Sequence, residues 1–160
     1  MNWENSKSLT PLKKDFLLAF FSLTQDFYLT GGSALGIFYL DHRRSYDLDL
    51  FTLKEVNWPA VEDIFVLTCR EIGASGGIIS SSPMFRRYRI ERDGQSEVVD
   101  FVFEVTPQIE PKKNLFGVIA VDSFFEVGIN KICSLAGRSE LKDLIDLYYL
   151  AKEKQFDVCA

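Results

Sequence analysis

Leu12, Phe16, Leu17, Phe20 and Phe21 recur at intervals of about three and four residues, the spacing of one helical face. Thr10-Pro11 before them is a helix start, with Thr as cap and Pro in the first turn. Phe27–Thr30 reads as a short strand that Gly31-Gly32-Ser33 interrupts, with Ser33 predicted to cap a helix to about Leu40. A strand follows over Tyr46–Phe51, then a helix from Asn57 to about Ile72 that starts near Pro59. After Gly76-Gly77 the pattern predicts strands near 78–81, 84–91 and 97–105, the last two joined through the Asp93-Gly94 hairpin signal. One further strand is expected near 116–120. Ser123-Phe124-Phe125-Glu126 is a capping-box pattern opening a helix to about Ala136, which Gly137 ends. A last helix runs from Glu140 to about Lys154, with Leu144, Leu147, Tyr148 and Leu150 expected in the core. Strands and helices in this order predict an α+β fold, a mixed β-sheet flanked by helices and closed by C-terminal helices over about 122–154.

Composition narrows the class. The 160 residues suit a single domain, and 47% hydrophobic content is enough for a sizeable core. No apolar run approaches the roughly 20 residues of a membrane-spanning helix. The N-terminus lacks the basic-then-apolar order of a signal peptide, so the expected location is the cytoplasm, with no membrane partner. A net charge of −5 confines any nucleic-acid contact to a local patch. The three cysteines are scattered, which argues against a disulfide framework or a Cys-ligated zinc. Cys69 and Cys133 are expected as buried thiols, and Cys159 in a terminal tail.

Asp47-Leu48-Asp49 carries the first chemistry. On a strand both carboxylates face the same side, roughly 7 Å apart, while Leu48 and Leu50 face the other. Paired carboxylates repel unless a cation sits between them, and Mg²⁺ (or Mn²⁺) suits such oxygen donors. Bare Asp-x-Asp pairs are also common at solvated strand edges. Asp100 changes that balance, because it stands alone among apolar neighbours in Val98-Val99-Asp100-Phe101-Val102-Phe103 and is costly to bury unpaired. If its strand lies beside the first, three carboxylates form a site for two metal ions, with Asp100 as candidate general base. Thr30-Gly31-Gly32-Ser33 adds a turn whose backbone can approach a phosphate, with the Ser33 hydroxyl nearby.

The run Leu29-Thr-Gly-Gly-Ser-Ala-Leu, followed by His42-Arg-Arg-Ser-Tyr-Asp-Leu-Asp-Leu-Phe51, closely resembles the AbiEii/AbiGii-type nucleotidyltransferases of the polymerase-beta-like superfamily. That family's pattern places a glycine-glycine turn before Arg-x-Ser-x-Asp-x-Asp, matched by Arg43, Ser45, Asp47 and Asp49, and a third aspartate on a later strand, matched by Asp100. A helical lysine, an arginine and Lys-Asp-x-x-Asp follow, matched by Lys131, Arg138, Lys142, Asp143 and Asp146. The resemblance spans about residues 27–152, with the catalytic core over about 27–105.

It implies a Mg²⁺-dependent nucleotidyltransferase with catalytic, metal-binding Asp47, Asp49 and Asp100. Nucleotide contacts would come from Gly31, Gly32, Ser33, Arg43, Ser45, Lys131, Asp143 and Asp146. Lys131 would bring charge to the triphosphate. Asp143 and Asp146 share a helical face and would orient Lys131 or Arg43, or contact the nucleotide. A nucleoside triphosphate is the implied donor, RNA, tRNA or a protein hydroxyl the acceptor, and a toxin role with a cognate antitoxin follows from the family. Many members continue with further helices, so acceptor-binding surface is expected to be missing or supplied by a partner. The competing reading is a catalytically inactive nucleotide- or protein-binding module on the same fold. His42, the only histidine, is read as positional. In Phe85-Arg86-Arg87-Tyr88-Arg89, Arg87 and Arg89 share one strand face, which is either a track for an RNA backbone or an ordinary charged sheet surface.

Overall fold

Helix α1 (Pro11–Leu23) starts as the sequence predicts: the Thr10 hydroxyl accepts from the Lys13 amide at 3.2 Å. The computed structural model describes residues 2–138 and 140–153, so Cys159 and the end predicted for the last helix at Lys154 lie outside the described residues. The stripe Leu12, Phe16, Leu17, Phe20 and Phe21 is buried throughout. Strand β1 (Tyr28–Thr30) leads into a short helix α2 (Gly31–Ala34) that continues as a wider π-helical turn over Leu35–Tyr39. Strand β2 (Asp47–Thr52) and helix α3 (Trp58–Glu71), capped by Asn57, come next. Strands β3 (Ser75–Ser82), β4 (Phe85–Arg92) and β5 (Gln95–Phe103) form a meander. Asp93 and Gly94 turn the chain between β4 and β5 with both φ values positive, 52° and 77°. β6 (Asn114–Phe116) and β7 (Ile119–Val121) follow, then α4 (Phe124–Gly137) and α5 (Leu141–Lys152).

The seven strands form one mixed sheet in the order β3-β4-β5-β2-β1-β7-β6. β2 runs antiparallel to β1 and parallel to β5, so it is central and paired on both sides. Its alternation separates two jobs. Leu48 and Leu50 are fully buried, while Asp47, Asp49 and Phe51 are on the opposite face and only partly covered. On the first face the aromatic core closes, with Phe20 and Phe101 ring centres 5.3 Å apart and Phe65 against Tyr88 at 4.2 Å. Burying such rings contributes about 1.5–3 kcal/mol each, which fixes the register of β2 and β5. A one-residue slip would drive the aspartates into this core.

Four local expectations change. Ser33 does not cap a helix: Thr30 holds that position, and Ser33 sits inside the first turn, where its hydroxyl donates to the Thr30 carbonyl at 3.1 Å. The single strand expected near 116–120 is a hairpin, β6 and β7, turned at Gly117 with φ +64°. Ser123 does cap α4, but Glu126 does not reach back as a capping box requires; its carboxylate accepts from the Glu110 amide at 2.7 Å. On α5, Leu150 is buried and Leu147 is packed against the core, whereas Leu144 and Tyr148 are 48% and 57% exposed.

Candidate active site

Asp47 and Asp49 project from β2 on the face away from the aromatic core, and Asp49 lies directly across from Asp100 of β5. One carboxylate oxygen from each of the three lies within 4.8 Å of the others. Asp100 is buried and, as burial of a carboxylate requires, it is paired, here with Arg87. Burial, then the charges of Asp47 and Asp100, push the Asp49 carboxyl up to about 7, while Lys131 and Lys142 act in the opposite sense. A group so crowded by like charge favours either a proton or a cation. Three hard oxygen donors on two rigid strands suit Mg²⁺ or Mn²⁺.

The acidic cluster stands in a cleft of about 690 Å³. Gly31 enters it with φ +66°, and a Cβ placed there would lie 2.5 Å from Asp49 Oδ2. A Cβ on Gly32 would lie 2.7 Å from Arg43 Nη2. The glycine pair therefore brings the chain directly against both side chains; at Gly31 the positive φ also disfavours any larger residue, and at Gly32 a Cβ would require Arg43 to shift. Ser33 is fully buried; its hydroxyl accepts from the Asp49 amide at 3.2 Å and so ties α2 to β2 instead of facing the cleft.

Arg43 and Ser45 lie on the segment before β2, which the N-terminal region pins. The Ser8 hydroxyl donates to the Arg43 carbonyl at 2.7 Å and accepts from the Ser45 amide at 3.2 Å. The buried Lys13 ammonium donates to the Ser45 carbonyl. Both Arg43 and Ser45 line the cleft.

Behind them is a buried ionic hub. Asp146 is fully buried, and its Oδ1 meets His42 Nε2 and Arg43 Nε, each at 2.6 Å. Its Oδ2 accepts from Arg43 Nη2 at 2.8 Å and lies 2.9 Å from Lys131 Nζ. Lys131 also donates to the buried Asp143 at 2.8 Å. These bonds hold the Asp146 carboxyl well below the usual range against the burial that would raise it. Asp143 thus bonds Lys131, and Asp146 bonds both Lys131 and Arg43. Lys131 reaches the cleft itself, as do Arg138 and Lys142. His42 is tied to the hub and packs on Tyr149 at 5.1 Å, a positional place.

Other residues join the site without having been singled out for it. Arg87 of β4, opposite Asp100 in the sheet, donates from Nε and Nη2 to both Asp100 oxygens at 2.7 Å, and its Nη2 is 3.8 Å from Asp47 Oδ2. The position of Arg87 follows from the two-residue turn at Asp93-Gly94, which sets the register between β4 and β5. Tyr28, Gln108 and Glu126 also line the cleft, and nothing in their local sequence marks them. Burial and the charges of Asp122, Glu104 and Glu126 raise the Tyr28 hydroxyl above its ordinary range. Cys133, expected to be buried, is exposed at the cleft wall.

Comparison with known proteins gives the family and the fold. The family model for the nucleotidyl transferase AbiEii toxin, type IV toxin–antitoxin system, matches residues 15–159. Helicobacter pylori JHP933 superposes with a TM-score of 0.69 at 21% identity, over 90% of this chain and 65% of that one. A proposed nucleotidyltransferase of H. pylori superposes with a TM-score of 0.67 at 19% identity, over 92% of this chain and 71% of that one. At these identities the likeness establishes the fold, and this chain spans about two thirds of either structure. No curated protein matches the chain. Among the described residues no helix is long and apolar enough to cross a membrane. With its α+β fold and a family match over nearly its whole length, the chain belongs to the AbiEii family of nucleotidyl transferase toxins of type IV toxin–antitoxin systems.

Proposed function

We propose that this chain transfers a nucleotidyl group from a nucleoside triphosphate to an acceptor hydroxyl on RNA, tRNA or protein. The observation that carries the reading is the convergence of Asp47, Asp49 and Asp100 in a cleft that Arg43 and Lys131 also line. The three aspartates would hold Mg²⁺ or Mn²⁺, which supplies charge neutralisation at the phosphates and lowers the pKa of the acceptor hydroxyl. Gly31 and Gly32 let the triphosphate approach the backbone closely. Arg43, Ser45 and Lys131 hold its charge and orientation, and Asp143 and Asp146 keep the cations aimed. The acceptor oxygen forms a bond to the α-phosphorus, the bond to the bridging oxygen breaks, and pyrophosphate leaves. Asp100, once free of Arg87, takes the hydroxyl proton. Positioning and electrostatic neutralisation supply the rate. The type IV family suggests that the activity is that of a toxin countered by a cognate antitoxin.

The test is incubation with Mg²⁺, each labelled nucleoside triphosphate in turn, and total cellular RNA and protein, beside Asp49→Asn. Asparagine relieves like-charge repulsion while removing a ligand, so loss of transfer in this variant reports chemistry and not unfolding. Label on an acceptor with the wild type alone supports the proposal. Nucleotide binding without transfer under every condition would leave a binding module in its place.

A further inference from the structure

Arg87 takes no part in the proposed reaction except as a group that must leave, yet among the described residues it is the cation paired with Asp100 and within 4 Å of Asp47. Its fork spans both oxygens of Asp100 at 2.7 Å and reaches toward Asp47 at 3.8 Å. Paired bidentate geometry of this kind is among the stronger ionic contacts a protein makes. The Arg87 side chain is nevertheless 40% exposed, so it can swing into solvent without breaking the sheet that carries it. The contact joins directly opposed residues on adjacent strands, so the fold brings the guanidinium to Asp100 without a loop rearrangement.

We propose that Arg87 is the resident counter-ion of the aspartate cluster and that a divalent cation enters by displacing it from Asp100, so that Arg87 sets the affinity for the cation. The inference rests on the metal-site reading of the three aspartates. Its physical basis is competition for one carboxylate. A guanidinium bonded to both Asp100 oxygens withdraws that charge from a cation shared with Asp49, and two cations a few ångströms apart repel. In the absence of the divalent ion, Arg87 offsets the repulsion among the three aspartates. When the ion is present, that work passes to it. Arg87 acts through Asp100 and is a positioning residue.

The experiment is direct Mn²⁺ binding to the full chain without nucleotide, read by the electron paramagnetic resonance of free Mn²⁺, for wild type, Arg87→Gln, Arg87→Lys and Arg89→Gln. Removing a partly exposed ion pair is expected to tighten Mn²⁺ binding in Arg87→Gln by up to about fivefold. Arg87→Lys, which keeps charge but loses the fork, falls between this variant and wild type. Arg89 lies two residues away on the same strand, and Arg89→Gln removes the same charge from the chain; it is expected to stay within about twofold of wild type. Equal or weaker binding by Arg87→Gln overturns the exchange while leaving the metal site standing. Equal tightening by Arg89→Gln also overturns it, since net charge would then explain the effect. Absence of Mn²⁺ binding in every variant overturns both the exchange and the metal-site reading. Should Arg87→Gln fail to fold, the Arg87→Lys comparison decides: affinity no tighter than wild type refutes the exchange.

Discussion

Replacing Asp146 with asparagine removes one charge from the hub behind the cleft while keeping the side-chain volume. Each carboxylate oxygen faces two donors: Oδ1 meets His42 Nε2 and Arg43 Nε, and Oδ2 meets Arg43 Nη2 and Lys131 Nζ. Whichever way the amide is turned, its NH₂ group opposes an Arg43 N–H, Nε on one side or Nη2 on the other. The residue is fully buried, so water cannot fill the role. Breaking a buried ionic contact from one side costs about 3–5 kcal/mol, a large share of the about 5–15 kcal/mol that holds a domain folded. Urea unfolding at pH 7, followed by the fluorescence of Trp3 and Trp58, should show the midpoint of Asp146→Asn lowered by about 2 M for a slope near 2 kcal/mol/M. A loss under about 1 kcal/mol would refute the reasoning, because it would mean that Lys131 and Arg43 find other partners readily.

The pH dependence supplies a second check with a definite sign. The Asp146 carboxyl is held below its ordinary value by His42, Arg43 and Lys131. A depressed carboxyl contributes stability above its unfolded pKa of about 4 and loses it as pH falls through the folded value. Wild type should therefore weaken on acidification below about pH 4, and its advantage over Asp146→Asn should shrink across that range. An advantage that grows below pH 4 would contradict the assignment.

Gly31→Ala forces a side chain onto a residue with φ +66° and sets its Cβ 2.5 Å from Asp49 Oδ2; nucleotide transfer should fall by at least about tenfold with a stability loss of about 1–3 kcal/mol, and wild-type turnover in the variant would count against the close approach. Asp49→Asn should abolish transfer yet stabilise the metal-free protein at pH 8. The Asp49 carboxyl is raised from 3.8 to about 7, so its folding contribution is fully present below about pH 4 and is lost as pH rises through 7. That difference of about three pH units sets a ceiling of about 4 kcal/mol on the gain, with Asp49 partly solvated and its neighbours able to relax. Thermal unfolding in a chelating buffer at pH 4 and pH 8 measures it, and a variant less stable than wild type at pH 8 refutes the repulsion. Adding Mg²⁺ should stabilise the wild type and leave Asp49→Asn nearly unchanged.

Where one physical rule decides the outcome, the sequence was legible. Period-two alternation over Asp47–Thr52 set the aspartates on one face and Leu48 and Leu50 on the other. The apolar context of Asp100 made it a candidate to join them if its strand lay beside the first, and β5 does lie beside β2 with Asp100 buried. Ser33 misled because a serine after two glycines reads as a cap, whereas Gly31 with its positive φ starts the helix one residue after Thr30. Gly117 between two three-residue strands left too little period to resolve a hairpin. Cys133, Leu144 and Tyr148 lie on helices whose apolar spacing exceeds the surface that the sheet covers, so periodicity alone placed them inside when they face out.

Arg87 shows how far local rules extend when they are chained. Taken singly, a basic strand reads as solvated surface or as a nucleic-acid track. The Asp93-Gly94 turn, however, is a two-residue hairpin, so Arg92 must pair with Gln95. Counting five residues back along β4 and five forward along β5 brings Arg87 opposite Asp100. Directly opposed residues project to the same face of a sheet, and Asp100 had already been assigned to the aspartate face. The ion pair thus follows from turn chemistry, register and alternation together, each of which is written in the sequence. The buried hub does not follow in the same way, because the joining of α5 to the segment before β2 depends on how α4 and α5 fold back over the sheet. Residues 43 and 146 are more than a hundred positions apart, and only the packed chain brings Arg43 to Asp146.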